Sequence, residues 1–545
     1  VRETLHRGFP RSMDKEDINR IVEAFGQAAL VCKEGGLDGV EVIASGHLID
    51  QFWSPLTNKR GDEFGGSLDN RMRFSRMVFD SMRSKVGNDF ALGVRMTMTE
   101  NDYDKNGLSE EDNIKIGLKL RADGVLDFLN LVSGRIDTLP RLSSNMPGLS
   151  APLAPFLEQA GRFKKEINLP ILHATRINDL ATARYAIQEG LVDIIGMTRN
   201  HISDPYIVEK ILKKNEHRIR TCVGATYCSN YGYCVQNPAT ARETWLPHKI
   251  NKASKSKKIL IIGGGPAGLE AARVSAERGH DVSLYEATSK LGGQLNYASK
   301  VKWRRDLSGI IDWLVEECRI LKVDIQMNKF MEHTDILSKR ADIVILATGG
   351  FPNLCNVNGD AKVFSTWEIL DGKRLEGLTF LHDETGKNSS LVTADYLADN
   401  GSEVILNTPD PAIGMEAMRM EISPFMKRFY QKGIRMQVDN ELVKIVKDKN
   451  RINVVLRNTH TGQQSIKEVD HFILEAGTLP NDKLFYKLNS LSLNRGVTEL
   501  TAMVKGKAQP VFGGEGFHLY RVGDAVNSRD AHCAILDSLR ICKEF

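Results

Sequence analysis

Apolar positions recur along the first 220 residues in two alternating rhythms. Short runs (LDGVEVIAS, FALGVRMT, DFLNLVSG, LPILHATR and VDIIGMTR) have the length and continuity of buried parallel strands. Between them, stretches such as DINRIVEAFGQAALVCKEGG and NRMRFSRMVFDSMRSKVG carry apolar residues at helical spacing and stop at glycine. Repeated βα units predict an α/β fold, either a (β/α)8 TIM barrel or a doubly wound sheet. Five strands are countable, too few to close a barrel. If the fold is a barrel, its first strands are missing from the sequence, which starts at a bare Val1.

The pattern changes after residue 220. Residues 221–257 form a cysteine-bearing hinge and linker, and the part from 238 on is polar, basic and rich in small residues. A second α/β region runs from Lys258 to the end. Within it, residues 375–475 have their own βαβ opening (LTFLHDETG, DYLADNG, SEVILNTPD), after which the chain resumes in VDHFILEAGTLPN. The expected organisation is therefore a partial barrel at 1–220, the hinge, and an outer dinucleotide domain at 258–374 and 476–545 with a similar domain inserted at 375–475.

Composition narrows the class. A net charge of +4 over 545 residues gives no reason to expect nucleic acid as a partner. No apolar run approaches the roughly 20 residues that span a bilayer, so no membrane insertion is expected. Eight cysteines in this length are no disulfide scaffold, and a reducing cytoplasm fits them. No targeting signal is visible at the start.

Gly263, Gly265 and Gly268 form G-x-G-x-x-G directly after KKILII and open the helix PAGLEAARVSAERG. The first glycine permits a tight turn, the second lets a pyrophosphate approach the backbone, and the third brings helix and strand together. The phosphates would sit on the helix N-terminus, and Glu286 ends the next strand at a spacing suited to ribose hydroxyls. LGGQL (with Gly293 and Gln294), ATGG and VGDA (with Gly523 and Asp524) resemble accessory motifs of flavoproteins with two dinucleotide-binding domains. That resemblance implies FAD, with Gly523 and Asp524 on its flavin side; with ADP alone they would only close the domain. The inserted segment HDETGKNSSLVTADYL offers only Gly386 at the equivalent turn, which argues for a degenerate NAD(P)-type domain.

The stretch VEVIASGHLIDQFWSPLTNKRGDEFGGSLDNRMRF, with GVRMT, HATR and GMTRNHISDP, resembles the old yellow enzyme barrel. The whole layout is similar to trimethylamine dehydrogenase and 2,4-dienoyl-CoA reductase, and ASGHLIDQFWSP and CVGATYC resemble the branch linked to N-methylproline and dimethylglycine demethylation. The resemblance implies an FMN barrel, an iron–sulfur hinge and FAD/NAD-type domains. It places Arg95 beside the electron-rich end of the flavin, where a cation favours the reduced ring, and Arg176, Gly196 and Arg199 around the FMN phosphate. Enone reductases of the family grip a carbonyl with a His-x-x-His or His-x-x-Asn pair. Here Ser45 stands where the second member falls and His47 where a proton-donating Tyr falls. His47, with Ser45, is then the candidate base or substrate contact for an amine. Trp53 either walls a cationic substrate or packs in the core, the latter being the safer expectation.

Family hinges carry four cysteines. Cys222, Cys228 and Cys234 match the first, third and last of them, and Ala225 stands where the second should be. The expectation is an iron–sulfur cluster ([4Fe–4S] or [3Fe–4S]), with zinc as the alternative and three free thiols after it. The leading reading is an FMN/FAD amine dehydrogenase that demethylates a small N-methyl amine and passes electrons to an electron-transfer flavoprotein or partner redox subunit, in an oligomer. The alternatives are an NAD(P)H-dependent enoate or dienoyl-CoA reductase and a silent electron-transfer subunit.

Overall fold

The computed structural model describes residues 8, 10–100, 106–354 and 358–545. The chain packs into two compact units, Val1–Thr198 and Arg199–Phe545.

In the first unit, β1 (Gly39–Ile43), β2 (Ala91–Thr97), β3 (Phe128–Val132), β4 (Ile171–His173) and β5 (Ile194–Ile195) form one sheet in that order. All four pairings are parallel. Successive side chains point to opposite faces, so Val42, Val94, Leu129 and Ile171 fall in one row. That face is covered by helices that include Lys15–Glu34, Leu68–Val86 and Leu157–Ile167, and Phe74, Val78, Phe79, Met82 and Phe163 fill the layer between. The helices start where their sequences say they should: Ser67 and Ser109 each cap the next helix by accepting a backbone N–H. The opposite face carries Glu41, Arg95 and Asn130 in otherwise apolar strands. Five parallel βα strands are those of a TIM-type barrel, and the expected strand count is met.

The second unit holds two parallel sheets. One has the order β20 (His518–Arg521), β9 (Ile343–Leu346), β6 (Lys258–Ile262), β7 (Asp281–Tyr285), β8 (Asp324–Gln326). The other has the order β11 (Val363–Ser365), β18 (His471–Glu475), β12 (Leu378–Asp383), β13 (Glu403–Asn407), β14 (Arg435–Gln437). The chain leaves the first sheet through β10 (Gly350–Pro352) and returns through β19 (Thr478–Pro480), which pair antiparallel. The second dinucleotide-type fold is therefore inserted in the first. A three-stranded antiparallel sheet, β15 (Asn440–Asp448), β16 (Arg451–Asn458) and β17 (Gln464–Val469), is appended to the insert. Helix Pro266–Glu277, after β6, is buried over most of its length, which its Ala- and Gly-rich sequence permits.

The two parts of this unit are joined by a buried ion pair, Arg304 to Glu421 at 2.7 Å, with the side chains 4% and 3% exposed. Removing one partner strands the other charge. Glu421→Ala is expected to cost about 3–5 kcal/mol, whereas the double change Arg304→Met with Glu421→Leu should cost much less; urea unfolding measures both.

Candidate functional sites

The loops after β1, β2 and β3 bring one group of buried charges together. The turn after β1 is tied to β2, since the N–H groups of Ala44 and Ser45 both donate to the Arg95 carbonyl (2.9 and 3.0 Å). Gly46 has φ +72°, and a Cβ there would lie 2.3 Å from Ile136 Cγ1, so only glycine lets the turn meet the loop after β3. Ser45 is buried and its hydroxyl has no partner among the described residues. His47 follows as the N-cap residue of helix Leu48–Trp53 without making a side-chain cap bond.

Beside this turn, Asp50 is 3% exposed. Its Oδ2 accepts from the Gly46 N–H at 2.9 Å, while its Oδ1 has no partner among the described residues. Glu100, beyond β2, is saturated: it accepts from Ser54 Oγ (2.9 Å), the Leu108 N–H (2.7 Å) and Arg135 (2.8 Å). Arg135, beyond β3, also pairs with Asp137 at 3.0 Å, and Asp137 with Arg141 at 2.8 Å. Asp50 thus has no ion-pair partner among the described residues. Burial first, and then the neighbouring charge of Glu100, push its carboxyl up to about 7. Sequence reading did not single out Asp50, Glu100 or Arg135; the available signal was polar residues just past three consecutive strands.

Of the expected cofactor ligands in this unit, Arg95 lies on the open face of the sheet, with Nε 2.9 Å from Glu41. Glu41 also accepts from Asn130 at 2.6 Å, so the Arg95 cation carries its own counter-charge. Arg176 is buried at φ +52° and donates to the Gly148 carbonyl. Gly196 follows β5, and a Cβ there would lie 2.6 Å from the Ala174 Cβ. Trp53 is fully buried and its Nε1 donates to Ser75 Oγ at 2.9 Å. It packs in the core and walls no substrate.

The second unit, which begins at Arg199, places the dinucleotide motifs around one cavity of about 860 Å³. Gly263 (φ +110°) passes so close to the next strand that a Cβ would lie 2.3 Å from the Ala347 carbonyl. A Cβ on Gly268 would lie 1.9 Å from the Gly263 oxygen, whereas one on Gly265 would meet only Gly293, at 4.0 Å. The helix N-terminus therefore opens onto the cavity at Gly265, where the backbone is bare. Glu286 braces the loop, accepting from the Gly264 N–H at 2.7 Å and the Thr288 N–H at 2.8 Å. Gln294 donates to Asp524 at 2.8 Å, and Gly523, beside it, approaches Ala267, where its own Cβ would lie 2.9 Å away. The cavity continues past Thr478 and Arg529 to Tyr227 and Tyr231, well beyond the phosphate turn.

The equivalent turn after β12 is filled from within. The Asp383 carboxylate accepts from the N–H groups of Thr385 (2.9 Å) and Gly386 (3.1 Å) and from the hydroxyls of Thr385 (2.9 Å) and Ser390 (2.6 Å). Its register partner Glu475 is also buried, and burial raises both carboxyls. An incoming pyrophosphate would meet an occupied nest and two acids.

On the hinge, the Gly224 N–H donates to Cys222 Sγ at 3.4 Å, and the backbone N–H groups of Gln236 and Asn237 serve Cys234. These donors and the nearby Arg199 and Arg220 suit thiolate ligands. Burial nonetheless holds Cys222 up at about 11, and Ala225 is buried where a fourth sulfur would stand. Among the described residues no three His, Cys, Asp or Glu side chains converge as a metal site, so Cys222, Cys228 and Cys234 do not form a closed ligand set as placed. No helix among the described residues is long and apolar enough to cross a membrane.

A barrel-type βα unit followed by a glycine-loop dinucleotide domain defines the class as a flavin oxidoreductase. Residues 1–218 match the NADH:flavin oxidoreductase / NADH oxidase family and residues 257–512 the pyridine nucleotide-disulphide oxidoreductase family. The chain is 42% identical over 549 residues to a multifunctional alkene reductase/demethylase OYE of Caballeronia cordobensis, covering 99% of this chain and 81% of that one. It is 40% identical to a probable N-methylproline demethylase of Rhizobium meliloti (100% and 81% covered) and 39% identical to an N,N-dimethylglycine/sarcosine dehydrogenase of Chromohalobacter salexigens (100% and 82%). A solved 2-naphthoyl-CoA reductase superposes with a TM-score of 0.85 at 27% identity, covering 98% of this chain and 77% of that one. The chain belongs to the old yellow enzyme-type NADH:flavin oxidoreductase family. It is a flavin-dependent enzyme of that superfamily.

Two outcomes follow from this geometry. Gly265→Ala has room in the protein, so it should leave the melting temperature unchanged yet weaken dinucleotide binding at least tenfold (about 1.4 kcal/mol), whereas Gly268→Ala should destabilise the fold itself; flavin titration and calorimetry separate them. Because the folded state holds the Asp50 proton up to about 7 while the unfolded chain releases it near 3.8, wild-type stability should fall as pH rises between those values. The loss is on the order of 4 kcal/mol, and Asp50→Asn should remove it when urea unfolding is followed from pH 4 to 8.

Proposed function

We propose that this protein oxidises a small N-methylated amine of the dimethylglycine or N-methylproline type, giving the demethylated amine and formaldehyde. The observation that carries the reading is the turn after β1. It offers Ser45 and His47 in place of the His-x-x-His or His-x-x-Asn pair that grips an enone carbonyl. Relatives named for N-methylproline and dimethylglycine point the same way. The flavin supplies the acceptor for a hydride from the N-methyl group. In this reading His47 holds the amine neutral, Arg95 favours the reduced ring, and Arg176, Gly196 and Arg199 hold the FMN phosphate.

Residues 258–374 and 476–545 are read as the FAD domain, with FAD preferred to ADP because the cavity extends past the phosphate turn to Tyr227 and Tyr231. Gly263, Gly265 and Gly268 would seat the pyrophosphate, Glu286 the ribose, and Gly293, Gln294, Gly523 and Asp524 the remainder. The self-filled nest at Asp383 supports electron delivery to a protein acceptor, an electron-transfer flavoprotein or partner redox subunit, rather than to NAD(P). Cys222, Cys228 and Cys234 are the proposed protein ligands of an iron–sulfur centre on the hinge; iron and sulfide analysis with EPR tests it, and stoichiometric zinc would replace it.

Anaerobic mixing gives the direct test. Dimethylglycine or N-methylproline should bleach the flavin absorbance and release formaldehyde, and NADH should not. Bleaching by NADH alone would establish the enoate-reductase alternative, which the alkene reductase activity in one relative's name keeps in view.

A further inference from the structure

A second cavity, of about 310 Å³, lies wholly within the second unit and shares no lining residue with the dinucleotide cavity. Its walls come chiefly from residues 204–220 and 237–250 and from helices Pro266–Glu277 and Gly309–Ile320. Most of its charges are paired. Lys210 meets Asp204 at 2.5 Å, Lys213 meets Glu209 at 2.6 Å, Arg218 meets Glu317 at 2.6 Å, and Arg273 meets Glu270 at 2.7 Å and Glu277 at 2.6 Å. Two lining cations, Arg220 and Lys249, have no carboxylate partner among the described residues and lie on aromatic rings instead. The Arg220 guanidinium carbon is 4.7 Å from the centre of the Trp313 ring, and Lys249 Nζ is 5.0 Å from the centre of the Tyr206 ring. Arg220 donates from Nε to the Ser203 carbonyl (2.9 Å) and from Nη1 to the Gln236 carbonyl (3.2 Å), which leaves Nη2 without a partner among the described residues. Beside Lys249, His248 has a buried Nδ1 with no hydrogen-bond partner among the described residues, and its Nε2 is 3.7 Å from Glu243.

We propose that this cavity is a binding site for a compact dianion, a phosphate or a short dicarboxylate, held by Arg220, His248 and Lys249. A guanidinium keeps its charge when it is taken from bulk water, so the donors that the protein leaves unused are offered to an anion. The carboxylates whose charge reaches Arg220, Asp204 and Glu270, are engaged elsewhere. Asp204 accepts from Lys210 and from the backbone N–H groups of Arg220 (2.9 Å) and Tyr206 (3.1 Å), and Glu270 takes two bonds of 2.7 Å from Arg273. The size fits, since ligand cavities begin at roughly 300 Å³. The Trp313 ring already carries Arg220 and Arg273, and the Tyr206 ring carries Lys249, which favours a compact anion over a stacking nucleotide. Through the Gln236 carbonyl, Arg220 also fastens together the two ends of the loop that holds Cys222, Cys228 and Cys234. An anion on Arg220 therefore steadies that loop.

The test titrates the holoenzyme with inorganic phosphate and with succinate, while sodium chloride keeps the ionic strength constant. At least one of the two should bind saturably by calorimetry and slow amide exchange across residues 221–236, and the tighter one tells a phosphate from a dicarboxylate site. Arg220→Gln should weaken that binding about tenfold, as loss of a charged hydrogen-bond donor does, and Lys249→Ala about threefold, as loss of an exposed charge pair does. Lys249 is exposed, so Lys249→Ala should keep the wild-type melting temperature and flavin absorbance, which separates lost binding from lost folding. Absence of saturable binding by both dianions, or an affinity unchanged in Lys249→Ala, overturns the site.

Discussion

Parallel strand pairing decides where this molecule can put polar chemistry. Each parallel sheet is covered by helices, so charged side chains are costly along the strands and are left to the loops at their carboxyl ends. The first unit follows this constraint in the Gly46 turn, Asp50, Glu100 and Arg135, all just past β1, β2 and β3. The second follows it at Gly263 after β6 and at Asp383, the last residue of β12. Within the strands of the first sheet, Glu41 pairs with Arg95 and accepts from Asn130 on the open face.

The two dinucleotide-type folds show how small a chemical change separates a ligand site from a structural copy. Both have a parallel sheet, a turn and a helix N-terminus. After β6 three glycines leave the backbone donors facing a cavity. After β12 a single aspartate folds its carboxylate onto the same kind of donors and makes the turn self-sufficient. An internal carboxylate needs no ligand to satisfy the backbone, and the neighbouring Glu475 adds a second buried carboxyl.

Much of the fold was legible in the chain. The βα rhythm, the glycine loop and the returning segment after 475 are local patterns, and hydrophobic periodicity with turn chemistry specifies them. The candidate site was legible where a motif was contiguous, as at Gly263–Gly268 and the Ser45–His47 turn. It was not legible where the partners are distant. Gln294 and Asp524 lie 230 residues apart and bond directly, and the counter-charge on Arg95 comes from a neighbouring strand through register alone. The cysteine hinge was legible as a motif, and the backbone donors at Cys222 and Cys234 were not, because they come from the fold of the loop itself.

By itself the sequence determined the class of layers, the order of the two halves and the phosphate-binding turn, because these follow from spacing within a few residues. Tertiary structure alone decided the upward shift of the Asp50 carboxyl, the filling of the Asp383 nest and the burial of Trp53. Those depend on burial and on charges supplied by other loops, and neither quantity is written at any single position of the chain.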